Sequence, residues 1–137
     1  MSATLPDPVA ENLRIIDQHI REEAGNPDAV MPLYTDDIVL EVPGRGLRFE
    51  GRAAIRANYI AMFASMGRVE IEPLERFATA ERAVDDMIVR FRLIGSGFSN
   101  APFPVGSRVE VRLLHVFAMR NGKIARETVF EAWKRLD

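Results

Sequence analysis

From Ser107 to Lys134 apolar and polar residues alternate with a period of two, interrupted by Asn121-Gly122. Asn-Gly between two such runs predicts a hairpin, because a type I′ turn needs positive φ at both central residues and its twist matches that of the flanking strands. Strands are expected over Arg108–Arg120 and Lys123–Lys134. With Arg120 opposite Lys123, unbroken pairing sets Met119 against Ile124, Phe117 against Arg126, His115 against Thr128 and Leu113 against Phe130. One face then holds His115 between Leu113 and Phe117, with Arg126, Thr128, Phe130 and Ala132 across from them. The other carries Leu114, Val116 and Val129 among Arg112, Glu127 and Glu131. Both faces are apolar at the centre, which calls for cover on both: the chain's own helices on one and a partner chain on the other.

Upstream, the period switches between 3.6 and 2. Val9, Leu13, Ile16 and Ile20 recur at helical spacing between Asp7-Pro8 and Gly25, predicting a helix over Pro8–Ala24 with Asp7 as N-cap. His19 and Glu23 are i,i+4 neighbours on the flank of its apolar stripe. A short helix follows over Pro27–Tyr34, capped by Asn26, then a strand over Asp37–Pro43 and a small extended segment at Leu47–Phe49. A third helix is expected from Arg52 to Met66 with Ile55, Tyr59, Met62, Phe63 and Met66 inward. Strands over Val69–Ala78 and Ala83–Ile94 precede a long Gly/Pro-containing loop, Gly95–Gly106, of a length usual for a binding lid or rim. Helices first and strands afterwards argue an α+β domain, with helices on one face of a curved antiparallel sheet.

Composition narrows the chemistry. At 137 residues the chain suits one domain with its own core, and the absence of cysteine excludes disulfides, thiolate nucleophiles and thiolate metal sites. Two histidines cannot form a three-histidine zinc site, so no metal and no cofactor are expected. A net charge of −2 without a basic run argues against nucleic acid. The polar, proline-containing start from Met1 to Pro8 and the lack of a membrane-length apolar run make a cytoplasmic location the expectation.

The segments Tyr34-Thr35-Asp36-Asp37-Ile38-Val39-Leu40-Glu41-Val42-Pro43 and Phe49-Glu50-Gly51-Arg52-Ala53-Ala54-Ile55, followed by Val116-Phe117 ahead of Asn121-Gly122-Lys123-Ile124, resemble the SnoaL-like branch of the nuclear transport factor 2-like superfamily. The likeness runs from Val9 to Trp133, so the whole chain reads as one SnoaL-like domain. It implies a cone, the cystatin-like roll: a strongly bent antiparallel sheet and three helices around an apolar pocket. That superfamily includes ketosteroid isomerases, polyketide cyclases, epoxide hydrolases, dehydratases and non-catalytic modules, so the fold does not choose an activity. By this resemblance the isomerases' base position is Val42, their oxyanion tyrosine falls at Gln18 or His19, and their oxyanion aspartic acid falls at His115. The cyclases' acid–base aspartate near the end of the last strand falls at Ala132, beside Glu131.

Three residues are therefore candidates for catalysis. His115 on the apolar face can donate to a carbonyl oxygen or accept a proton, or it can simply be satisfied by a backbone carbonyl or Thr128. His19 and Glu23 can form an orienting dyad, or an ordinary helix-surface pair contributing about 0.2–0.5 kcal/mol. Arg126 can bind an acidic group, or pair with Asp36 or Asp37 at the edge of the sheet. Tyr34, Tyr59 and Thr128 supply hydroxyls. Leu40, Val42, Met62, Met87, Val89, Phe91 and Phe117 either line an apolar cavity or fill it. The expected activity is cofactor-independent acid–base catalysis, of cyclase, isomerase, dehydratase or epoxide hydrolase type, on a small or polycyclic apolar substrate. The alternative is a binding or dimerisation module of the same fold. A homodimer through the outer sheet face is the expected assembly.

Overall fold

The computed structural model describes residues 7–137; the expectation for the segment preceding Asp7 lies outside them. Helix α1 spans Pro8–Glu22, and Asp7 caps it by accepting the Val9 N–H at 3.0 Å. Its most buried face is Asn12, Ile15, Ile16 and His19, rotated from the purely apolar stripe. Partnered polar groups cause the rotation: Asn12 Nδ2 donates to the carbonyls of Thr79 and Ala80, both at 3.0 Å, and His19 enters the site described below. Helix α2 is short, Pro27–Val30, with no side-chain hydrogen bond from Asn26. A 3₁₀ turn, Met31–Leu33, delivers the chain straight into strand β1, Tyr34–Val42, so Tyr34 opens a strand instead of closing a helix.

Another 3₁₀ turn, Pro43–Arg45, leads into β2, Leu47–Glu50, and then α3, Arg52–Ala64. Met66, expected in that helix, begins β3, Met66–Ala78, which is followed by β4, Arg82–Leu93. The predicted hairpin is β5, Arg108–Arg120, and β6, Lys123–Arg135, turning through Asn121 and Gly122 at φ 51° and 71°. The sheet order is β2-β1-β6-β5-β4-β3, antiparallel throughout except for β1 beside β6.

The hairpin register holds for only two pairs. Arg120 faces Lys123 and Met119 faces Ile124, but Ala118 then faces Arg126, leaving Ala125 as the extra residue of a β-bulge. Beyond it His115 faces Val129 and Leu113 faces Glu131. The slip exchanges the two faces of β6: Glu127, Val129, Glu131 and Trp133 turn inward, and Arg126, Thr128, Phe130 and Ala132 turn outward.

The helices cover the concave face, where two packed clusters meet. One contains Ile16, Tyr34, Ile38, Ile55 and Phe117 beneath α1 and α3; the other is Phe91, Phe98, Val109 and Val111 beneath the loop after β4. Met62 and Leu113 touch both clusters, and between them the core is open. The loop is anchored against the end of α3 at Gly97. Gly97 donates to Ser65 Oγ at 2.8 Å, and a Cβ there would lie 2.2 Å from the Ala61 carbonyl oxygen, so only glycine permits the approach. Among the described residues no helix is long and apolar enough to cross a membrane.

Candidate active site

The opening is a cavity of about 240 Å³. β1 contributes Leu40 and Val42 to its wall, β4 contributes Met87, Val89 and Phe91, and α3 contributes Met62. Alternation on the strands and the stripe on α3 had placed these six there. Val42, at the isomerases' base position, is 3% exposed and purely apolar, so no carboxylate stands there.

One end of the cavity is polar. Glu23, Tyr59, His115 and Glu127 reach the wall, while His19 and Tyr34 stand behind it, fully buried. Tyr59 donates to Glu127 Oε2 at 2.9 Å and accepts from Tyr34 at 3.2 Å. Tyr34 is in turn 2.7 Å from His19 Nε2, which also lies 3.4 Å from Glu127 Oε2. His19 Nδ1 approaches Glu23 Oε2 at 3.2 Å, out of line for a hydrogen bond. No described residue hydrogen-bonds the other oxygen of Glu127, Oε1.

These contacts separate the protonation states. Burial pushes the Glu23 carboxyl up to about 8 against the attraction of His19, with the Glu127 charge adding to the rise. Burial disfavours the His19 imidazolium, but Glu127 and Glu23 outweigh it and raise its pKa. Burial would likewise raise Glu127, but the His19 charge and hydrogen bond hold it below the ordinary carboxylate value. At neutral pH the wall therefore presents one neutral acid and one ionised carboxylate, with an imidazole behind them whose protonation they favour. Both tyrosines stay protonated, because burial raises their pKa well above the usual value.

His115 is different. Burial lowers its pKa, so the ring is neutral; its Nδ1–H donates to the Asp85 carbonyl at 3.3 Å, and the Nε2 lone pair is left for the cavity. The ring stacks on Phe117 at 5.9 Å, which places Phe117 in the core behind the wall. Asp85 is buried beside it. Arg76 Nε holds Asp85 Oδ1 at 2.7 Å, and Oδ2 lies 3.6 Å from His115 Nδ1 without a hydrogen bond.

Arg126 and Thr128, expected on this wall, are on the outer face because of the bulge at Ala125. Arg126 pairs with Glu41, whereas Asp36 pairs with Arg52 and Asp37 with Arg120. Ala132 is exposed on the same outer face, and Glu131 takes the inward position that unbroken alternation gives to Ala132. Glu127, Glu131, Asp85 and Arg45 are the site residues that sequence reasoning missed. A signal existed: unbroken pairing put Arg126 on the apolar face while sending Val129 and Trp133 outward, a combination that a single extra residue corrects.

The other end of the cavity is an ion pair. Arg45 Nε and Nη2 hold Glu131 Oε1 and Oε2 at 2.8 and 3.2 Å. Trp133 Nε1 donates to Oε1 at 3.1 Å, Arg45 Nη1 donates to the Ser99 carbonyl at 2.7 Å, and the guanidinium lies 4.5 Å from the Phe98 ring centroid. Among the described residues no three His, Asp or Glu side chains converge as a metal ion would require.

Solved structures share this fold. A protein from Jannaschia sp. CCS1 assigned to the SnoaL-like polyketide cyclases superposes with a TM-score of 0.78 at 17% identity, over 95% of this chain and 91% of that one. An LEH-like epoxide hydrolase of M. tuberculosis gives 0.70 at 17% identity over 92% and 86%. SalBIII, an epoxide hydrolase/cyclase-like enzyme with a role in pyran ring formation in the polyether salinomycin, gives 0.72 at 22% identity over 93% and 97%. None of the curated proteins matches the chain. These likenesses establish the bent-sheet fold, and the model of the SnoaL-like domain matches residues 16–127, from the buried Ile16 of α1 to the Glu127 carboxylate on the cavity wall, so the chain belongs to the SnoaL-like domain family.

Proposed function

We propose that this protein is a cofactor-independent acid–base enzyme of the cyclase or hydrolase kind, which makes or opens an oxygen ring on a small or polycyclic apolar substrate. The observation that carries this reading is the neutral Glu23 and ionised Glu127 on one wall of an apolar cavity. Environments that push two neighbouring groups apart in pKa supply an acid and a base at the same pH. Glu127 Oε1 takes the proton from an attacking hydroxyl, either water or a group on the substrate. The new C–O bond forms as a ring C–O bond breaks, and Glu23 protonates the departing oxygen. His115 Nε2 accepts a hydrogen bond that orients the substrate. His19 touches no substrate; it is a positioning residue and the route of reset, since Glu127 connects to it through Tyr59 and Tyr34 and its Nδ1 faces Glu23.

The reading is tested with small cyclic epoxides and a hydroxy-epoxide, followed for diol or cyclic ether product. Wild-type turnover that falls by about 10²–10⁴ in Glu127→Gln supports it. Ligand binding without turnover over the whole panel favours a binding module instead. Two carboxyl groups and an imidazole converging on one cavity end favour the enzyme.

We further propose a homodimer through the outer sheet face. Val84, Ile88, Leu114, Val116 and Phe130 form its centre, with Phe130 48% exposed. Arg90–Glu110 and Arg112–Asp86 rim it, at 2.8 and 2.7 Å. Glu127, Glu131 and Val129, first assigned to that face, lie inside. Sedimentation showing only a 15.4 kDa species at micromolar concentration would sink the dimer.

A further inference from the structure

The ion pair at the far end of the cavity takes no part in the proton chemistry, yet it faces the same space. Glu127 and Glu131 are four residues apart on one face of β6, so the two polar ends are separated by roughly 13 Å of strand. The wall between them is apolar, formed by Val129, Val111, Leu113 and Val89. A ligand that satisfies both ends is an apolar body with oxygen functions at its two extremities.

The far end also specifies the second function. Arg45 carries five N–H groups. Three are accounted for, at Glu131 Oε1, Glu131 Oε2 and the Ser99 carbonyl, which leaves one N–H on each terminal nitrogen. The Arg45 and Glu131 side chains are 5% and 4% exposed and both residues line the cavity, so Arg45 is a desolvated donor held by Glu131. Its charge is already neutralised by a bidentate carboxylate. A second carboxylate would be a buried negative charge with no cation of its own, and a hydrocarbon end would leave the donors unused. A neutral carbonyl oxygen meets neither penalty.

We infer that Arg45, held by Glu131, is a specificity subsite for a neutral carbonyl group of the substrate, a ketone, ester, lactone or amide, placed across the apolar midsection from the reacting oxygen. The inference rests on the acid–base reading only for which end reacts; the recognition itself needs no turnover.

The experiment is a binding comparison on the wild-type chain with three matched probes: 9,10-epoxydecan-2-one, 1,2-epoxydecane and 9,10-epoxydecanoate. Trp133, the single tryptophan, donates to Glu131, so its fluorescence reports this end directly, with calorimetry as a second readout. The keto-epoxide should bind about tenfold or more tighter than both others and shift the Trp133 emission. In Arg45→Met the preference for the keto-epoxide over the plain epoxide should disappear. In Glu127→Gln it should persist, with turnover lost. Equal affinity for the keto-epoxide and the plain epoxide in wild type, or tightest binding of the carboxylate, overturns the inference even where turnover is found. Keto preference without turnover in wild type overturns the enzymatic reading and leaves the subsite standing. The wild-type comparison is independent of whether Arg45→Met folds.

Discussion

The two ends of the cavity hold charge in opposite ways. At the far end Arg45 and Glu131 form a bidentate pair in which both carboxylate oxygens are engaged by N–H donors. At the near end Glu23, His19 and Glu127 share their protons within a chain of short contacts, and burial balances the three against one another. A fixed pair can recognise; a group whose proton is held loosely can transfer it. On the proposed reading the chemistry belongs to the end built from α1, and selection to the end built from the turn after β1.

Glutamine at each end separates these roles most sharply. Glu127→Gln keeps the shape and the Tyr59 hydrogen bond but cannot accept a proton, so turnover should fall by about 10²–10⁴ with ligand affinity retained. Glu131→Gln should leave the proton chemistry in place and raise KM, because it loosens Arg45. Equal losses of turnover in both would break the division of roles.

A smaller effect is expected in the wall between the ends. Val42→Asp buries a carboxylate among apolar residues and should lower stability by about 1–3 kcal/mol in chemical denaturation. An unchanged midpoint would mean that water already fills this part of the cavity.

Much of this arrangement was legible in the chain. Asn121-Gly122 fixed the hairpin, the odd positions of β4 marked its inner face, and Asp7-Pro8 located the start of α1. What escaped depended on one unpaired residue and on polar groups that satisfy one another. Nothing local distinguishes Ala125 from a normal strand residue, yet it decides that Glu127 and not Arg126 meets His19. Hydrophobic periodicity also mis-centred α1, because Asn12 and His19 are buried through partners in the β3–β4 turn and on β1 that lie beyond the helix in the sequence. Arg45 sits in a turn whose glycine and proline context speaks only of backbone geometry, and its partner Glu131 had been assigned to the wrong face.

The pH dependence of stability sharpens the same contrast. The folded chain holds the Glu23 proton to about pH 8, whereas an unfolded glutamate releases it near 4.5. Between those values the native state binds more protons, so stability should fall as pH rises, with a slope of up to about 1.4 kcal/mol per pH unit, and level off above. His19 acts in the same direction: its raised pKa gives stability that is full below 6.5 and lost as pH passes through the folded value. Glu23→Gln should flatten the profile, leaving the His19 part. The smallest effect is expected on the outer face. Arg126→Ala removes an exposed pair with Glu41 and should change stability by no more than about 1 kcal/mol and ligand binding not at all. A loss of binding would contradict the bulged register.

The most direct test is a carboxyl ¹³C NMR titration of glutamate-labelled protein, with Glu23 and Glu127 assigned through their glutamine variants. The Glu23 carboxyl should titrate near pH 8, while Glu127 stays ionised to below the ordinary glutamate value. A Glu23 resonance that titrates near the ordinary glutamate value of 4.5 would leave the cavity with two like carboxylates and no acid, and would contradict the mechanism.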